Sequence, residues 1–401
     1  MTMTSASIPV SNPAAASTGA AARTVRDPRL DFYRGLAMFI ILIAHTPGNF
    51  LTLWIPARFG FSDATEIFVF CSGMASAIAF GKVFAERSWF VGTARVVFRV
   101  WQVYWAHIGL FLTVAMIMAL IDGTGLYDKN YIGSLNLWPF FKDTQSQLFG
   151  LMTLTYVPNY FDILPMYLVI LAMMPVMVGL AQINVWLMFG AVVAVWLGAN
   201  FDYLSMPAEP WSKREWFFNP FGWQLVFFTG FALMRGWIPA PPRDRRMVVL
   251  AVVIVVATIP LAYFRVLNAY PDLKPMRAEI SFYIAKTDFG LFRYIHFLSL
   301  AYLGWFVAGE RGQNLMARGS GTVARVWQSL LAVILKVGQQ SLAVFVVSMV
   351  LARLIGFAFD NLGRDTLTVW LGNLAGFAIL IAVAYGAGWF KSQPWRAKRV
   401  V

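Results

Sequence analysis

The chain has 401 residues, 59% of them hydrophobic and only 13% charged, with a formal net charge of +13. No globular core of this length could bury so much apolar surface, so an ordinary soluble domain is excluded and the class expected is an all-α integral membrane protein, a polytopic bundle. In a soluble protein the positive charge would suggest nucleic acid. Here membrane topology accounts for it, as the distribution of charge below shows, and nucleic acid has no support as a partner. The single cysteine, Cys71, excludes an intrachain disulfide and any multi-cysteine metal site, and in its apolar run it reads as a packing residue.

Residues 1–25 are rich in Ala, Ser, Thr and Pro without an apolar run, which predicts a disordered tail. The first hydrophobic segment is too long for a signal h-region and lacks a small-residue cleavage site, so it is expected to stay as an anchor. A membrane domain at 26–391 and a basic cytoplasmic tail at 392–401 follow. About ten spans are expected from continuous apolar length: 33–53, 64–83, 93–121, 160–180, 183–199, 222–237, 246–266, 291–309, 339–359 and 367–389. Pro165 and Pro175 are expected to interrupt the fourth, and the amphipathic stretch 323–337 reads as a helix lying on the membrane surface.

Charge checks this layout, because cytoplasmic loops collect Lys and Arg. With the N-terminus inside, the cytoplasmic flanks hold 20 of the 32 basic residues but only 5 of the 19 acidic ones. Ten spans with both termini cytoplasmic fit that asymmetry.

The stretch Arg26 to Thr52 carries the first chemistry. Arg34 and His45 are eleven residues apart on one hydrophobic helix, about 16 Å along its axis, which would put Arg34 at one face and His45 near the midplane. An imidazole in lipid marks a functional site by default. The plain alternative is a packed or cavity-lining histidine with a snorkelling arginine. Asp63 and Glu66 begin the second span on one helical face. They either orient His45 and raise its basicity or simply cap the helix. Arg95 and Arg99, four apart at the start of the third span, could join Arg34 and Lys82 in holding the phosphates of an anionic ligand, or could merely follow the positive-inside bias. His107 and His296 sit among aromatic neighbours that favour packing. No combination of residues has metal-ligand spacing, and there is neither a phosphate-binding glycine loop nor a nucleophile elbow.

Arg34 and His45 with ten residues between them, within DPRLDFYRGLAM and IAHTPGN, then DATEIFVFCSGMASA from Asp63 to Ala77, resemble the acyltransferase type three membrane superfamily and, within it, the OpgC branch. Phe68 to Gly73 matches the superfamily's Phe-rich run ending in Ser-Gly, and Val337 to Phe345 resembles the Gly-x-x-Ser-Leu-x-x-Phe entry to a late helix. Many relatives carry a histidine shortly after that point, where Ser348 and Met349 stand here. The resemblance implies a membrane O-acyltransferase that moves an acyl group, succinyl above all, from cytosolic acyl-CoA to hydroxyls of a periplasmic glucan, with no bound cofactor. His45 would be the general base or a transient acyl carrier, tuned by Glu66 and Asp63, and Arg34, Arg95 and Arg99 would bind the donor.

The outer loops supply a weaker expectation for the acceptor. Trp138, Tyr160, Asp162 and Trp216, with Arg293 and His296, combine aromatic faces for sugar stacking with groups that bind hydroxyls, a mixture that an ordinary aromatic belt also explains. Two rival readings remain at this point: O-acetylation of another exported glycan, and a multi-pass transporter of an anionic solute through a pathway lined by Arg34, His45 and Glu66.

Overall fold

The computed structural model describes residues 27–396; the tail expected at 1–25 and the second half, 397–401, of the basic tail expected at 392–401 lie outside the described residues. Among the described residues the architecture is all-α, with one isolated β-bridge between Pro207 and Glu215. The longer helices are α1 (Pro28–His45), α2 (Ala64–Glu86), α3 (Trp89–Gly123), α4 (Ile163–Ile183), α5 (Val185–Asn200), α6 (Pro220–Arg235), α7 (Arg245–Ala262), α8 (Leu291–Ala308), α9 (Thr322–Gln339), α10 (Ser341–Leu362) and α11 (Thr366–Ser392). Seven of them, α2, α3, α4, α7, α8, α10 and α11, are long and apolar enough to cross a membrane by length and composition. The other expected spans fall on α1, which carries Arg29, Asp31 and Arg34, and on α5 and α6, which have 16 residues each.

Side-chain burial supports the membrane class. In α7 only 6% of the most apolar window is buried. Val249, Leu250, Val252, Val253 and Val256 all stand exposed there. In water such a stripe would be an aggregation site, whereas hydrocarbon solvates it at no cost.

Two glycine crossings hold the centre of the bundle together. On α2 and α6, a Cβ at Gly73 would collide with the Phe227 carbonyl and one at Gly230 with the Phe70 carbonyl. On α1 and α9, Gly35 meets the Ile334 carbonyl and Gly338 the Asp31 carbonyl in the same reciprocal way. Lipid gives helices no hydrophobic reason to associate, so backbone approach through small residues supplies the packing. Gly73→Val is therefore expected to abolish folded, detergent-stable protein. Gly190→Ala on α5, where a Cβ meets nothing within 4 Å, should leave the thermal transition in place.

The amphipathic segment forms α9. It lies across the N-terminal turns of α1: Trp327 donates to the Leu315 carbonyl at 2.7 Å, and its other end meets Asp31. Two boundaries differ from the sequence expectation. The first span does not run to 53, because α1 stops at His45, and α4 passes unbroken through Pro175 instead of being interrupted. Pro175 removes one donor without ending the helix, and Pro165 falls in the first turn, where its missing N–H has no intrahelical partner to lose.

Candidate active site

The sequence ends α1 where its chemistry begins. Pro47 cannot continue a helix, and Gly48 takes a φ of +74°, a conformation open to glycine. The Thr46 hydroxyl donates back to the Leu42 carbonyl at 2.8 Å, and the Asn49 amide donates to Asn373 on α11 at 2.9 Å. His45 is thus the terminal residue of a pinned helix end and not a mid-helix residue. Its Nδ1 lies 2.8 Å from the Ile41 carbonyl. A carbonyl only accepts, so Nδ1 carries the proton and the Nε2 lone pair is left for another partner. The group that orients the ring is a backbone carbonyl of its own helix.

Tyr160 stands edge-on to this ring, with centroids 5.6 Å apart. It occupies the third position of the turn Pro158 to Phe161 with φ +88°, where glycine is favoured. Holding a tyrosine there costs on the order of 1–3 kcal/mol. Three contacts offset it: the packing on His45, a hydrogen bond from the phenol to the Met349 carbonyl, and the Arg353 guanidinium, whose carbon lies 3.8 Å from the ring centroid. A strained residue fixed from three sides against the candidate base is the arrangement expected of a functional pocket.

Asp63 and Glu66 form a reciprocal capping box at the start of α2. Asp63 accepts from the Thr65 N–H and Glu66 from the Asp63 N–H, both at 2.7 Å. Each carboxylate also has a cation. Lys286 reaches Asp63 at 2.5 Å, and Arg293 reaches the fully buried Glu66 at 2.6 Å. Burial acts to raise the Asp63 carboxyl, but the adjoining Lys286 ammonium holds it well below the usual carboxylate range. Both oxygens of Glu66 are engaged with Asp63 and Arg293, so its contacts are those of a cap and a buried ion pair.

His45, Asp63, Tyr160, Asp162 and Lys286 line one cavity of about 520 Å³. Its wall joins the separate sequence motifs. Phe68 of the second stacks on Phe345 of the third, with centroids 5.8 Å apart at 20°, and Met349 continues the wall. Asp162 immediately precedes α4 at the cavity wall, where burial pushes its carboxyl up to about 6 while it accepts from the Phe217 N–H at 3.1 Å. A carboxyl whose pKa rises on folding binds its proton more tightly in the folded state, so stability falls as pH climbs from about 4 to 6. Asp162→Asn keeps the acceptor and removes the charge. It should raise thermal stability at pH 7, by at most about 3 kcal/mol, with no gain at pH 4, as a pH series of melting curves would show.

The other expected site residues are distributed around this cavity without entering it. Arg34 donates to Ser341 at the start of α10, again joining two motifs. Arg95 borders a second cavity of about 320 Å³ with Lys82, Glu86 and Arg87, and Arg99 bonds to Gln102 on the surface of α3. Arg34 is not in the wall of that second cavity, so the three arginines do not converge on it. His296 is buried, with Ser62 at 2.8 Å from its Nδ1. Trp216 packs with Val157 and Ala208, Trp138 is an exposed residue on a short loop helix, and His107 is fully buried in α3.

Sequence reasoning missed Lys286 and Arg353. Lys286 did leave a signal, since it is a basic residue on the face that the charge bias leaves poor in them. Arg353 left one too, since an arginine inside the apolar run 339–359 is a candidate functional residue by the same reasoning that singled out His45.

The OpgC protein family model matches residues 26–392, nearly the entire chain. The chain belongs to the OpgC family. OpgC membership implies an acyltransferase role of the glucan-succinylating kind in general, and the apolar helices make this OpgC protein a membrane protein. No curated protein and no solved structure matches it.

Proposed function

We propose that this protein is an inner-membrane O-acyltransferase, with both termini cytoplasmic, that moves a succinyl group from cytosolic succinyl-CoA to a hydroxyl of a periplasmic glucan. The observation that carries the reading is the cavity where the three motifs meet, with the free Nε2 of His45 as its base. In the step inferred, Nε2 takes the proton of the sugar hydroxyl as its oxygen attacks the thioester carbonyl. The carbon–sulfur bond breaks, an ester forms, and the imidazolium returns the proton to the departing thiolate. The same Nε2 would serve if the acyl group passed through the histidine first. Tyr160 and Asn159 at the cavity's loop side, with Phe217 and Phe218, offer the rings and amide that a sugar would use. Arg34 remains the residue proposed to meet the donor's phosphates, with Arg95 and Arg99 as more distant cations on α3.

Proteoliposomes with succinyl-CoA on one side and purified glucan on the other test this reading. Succinyl ester should accumulate on the glucan only when donor and acceptor occupy opposite compartments. Labelling that requires both on the same side would overturn the transmembrane assignment, and no labelling in any arrangement would overturn the reaction.

A further inference from the structure

Lys286 is a loop residue held as firmly as a core one. Its carbonyl accepts from Trp223 at 2.9 Å, the next residue's carbonyl accepts from the Asn219 N–H at 3.0 Å, and Asp288 is held through its side chain by Asn219 and through its carbonyl by Asn200. Trp196 fixes the Phe289 carbonyl at 2.9 Å. Elements α5 and α6 therefore set the position of this backbone, and the side chain runs over the Phe217 and Phe218 rings, 5.9 and 5.5 Å from their centroids, into the cavity that holds His45.

The ammonium has three donors, and its hydrogen-bond acceptor among the described residues is Asp63. The side chain is 29% exposed, so the remaining donors face the cavity space. Of the neighbouring acids, Glu66 is paired with Arg293, Asp63 is both the helix cap and the anchor of Lys286, and Asp162 in the same wall accepts from the Phe217 N–H. The other cation in the wall, Arg58, is exposed and donates through Nε to the Thr52 carbonyl at 3.1 Å. Sugar hydroxyls and a thioester carbonyl carry no charge before reaction, so a fixed, half-enclosed ammonium in the same cavity as the base serves either the oxyanion that develops during transfer or an anion already present on the acyl group. It matches an acyl group that carries its own anion.

We propose that Lys286 binds the free carboxylate of a dicarboxylic acyl group whose thioester carbonyl lies at His45, so that this cavity selects dicarboxylic over monocarboxylic donors. The inference rests on the acyl-transfer reading above. Asp63 is then a positioning residue: it holds the ammonium without touching the acyl chain. The competing uses of Lys286, gripping the glucan or the phosphates of CoA, would leave the choice of acyl group unaffected.

The test compares succinyl-CoA with butyryl-CoA, which has the same four carbons and no charge, by kcat/KM on purified glucan. Wild-type protein should favour succinyl, and Lys286→Met should lower the succinyl-to-butyryl ratio roughly 10- to 100-fold, the worth of one charge-assisted hydrogen bond. Lys286→Arg should recover most of that ratio. Because Lys286→Met leaves Asp63 without its cation, Lys286→Met/Asp63→Asn is measured beside it and should show the same lost preference. An unchanged ratio in a variant that still transfers acyl groups, or a change confined to the KM for glucan, overturns the assignment of Lys286 and leaves the acyltransferase reading standing. Failure of wild-type protein to transfer either acyl group overturns that reading and the inference with it.

Discussion

Replacing Arg293 by Met is expected to destabilise the protein by about 3–5 kcal/mol, because it leaves the Glu66 carboxylate buried without its counter-charge. Glu66 has no exposed side-chain surface, and its Oε1 lies 2.6 Å from the arginine. Arg293→Met/Glu66→Gln should regain most of the loss, since glutamine can still accept from the Asp63 N–H through one oxygen and no ion remains to be desolvated. Thermal melts of detergent-purified protein measure both. A single variant as stable as wild type would show that the pair is not the structural clasp between α2 and α8 described above. If the double variant folds and retains acyl transfer, Glu66 acts by holding the start of α2, and the choice left open by the sequence between helix cap and catalytic carboxylate is decided for the cap.

His45→Ala is expected to lower acyl transfer by about 10²- to 10⁴-fold, the usual contribution of a positioned general base, and by more if the acyl group passes through the ring. Stability should change little by comparison. His45 ends its helix, its ring donates to a carbonyl four residues back, and the helix end keeps the Thr46 and Asn49 contacts without it. The pairing of lost activity with retained melting behaviour separates catalysis from folding, and it is the reverse of the pattern expected for Arg293→Met. His296 offers a control. Its ring is buried against Ser62 behind the α2 terminus, so His296→Gln should act on stability more than on transfer.

Much of the architecture was legible in the sequence because lipid simplifies the code. Continuous apolar length located most of the long helices. The end of α1 was misjudged because Phe50 to Trp54 extends the apolar run. Pro47 and Gly48 break the helix all the same, and those residues form a separate 3₁₀ turn. The cavity was half legible. His45, Asp63, Tyr160 and Asp162 could be named because each carries an unusual residue type at a helix end or in an outer loop. Their partners could not be read. Lys286 meets Asp63 across 223 positions and Arg293 meets Glu66 across 227, and no local pattern records a pairing made by tertiary packing. The strain at Tyr160 was equally invisible, since a tyrosine in a turn gives no sign of the backbone angle it adopts.

Single-turnover transfer by protein carrying His45 or His45→Ala tests the central claim most directly. Purified protein in liposomes is mixed with excess glucan and substoichiometric succinyl-CoA, and thiol release is followed together with the mass of the glucan. The account predicts that wild-type protein releases one thiol for each succinyl group gained by the glucan, while His45→Ala, with an unaltered melting curve, gives neither within the same time. Equal gain of succinyl by glucan in both proteins would contradict it and would move the chemistry away from the end of α1.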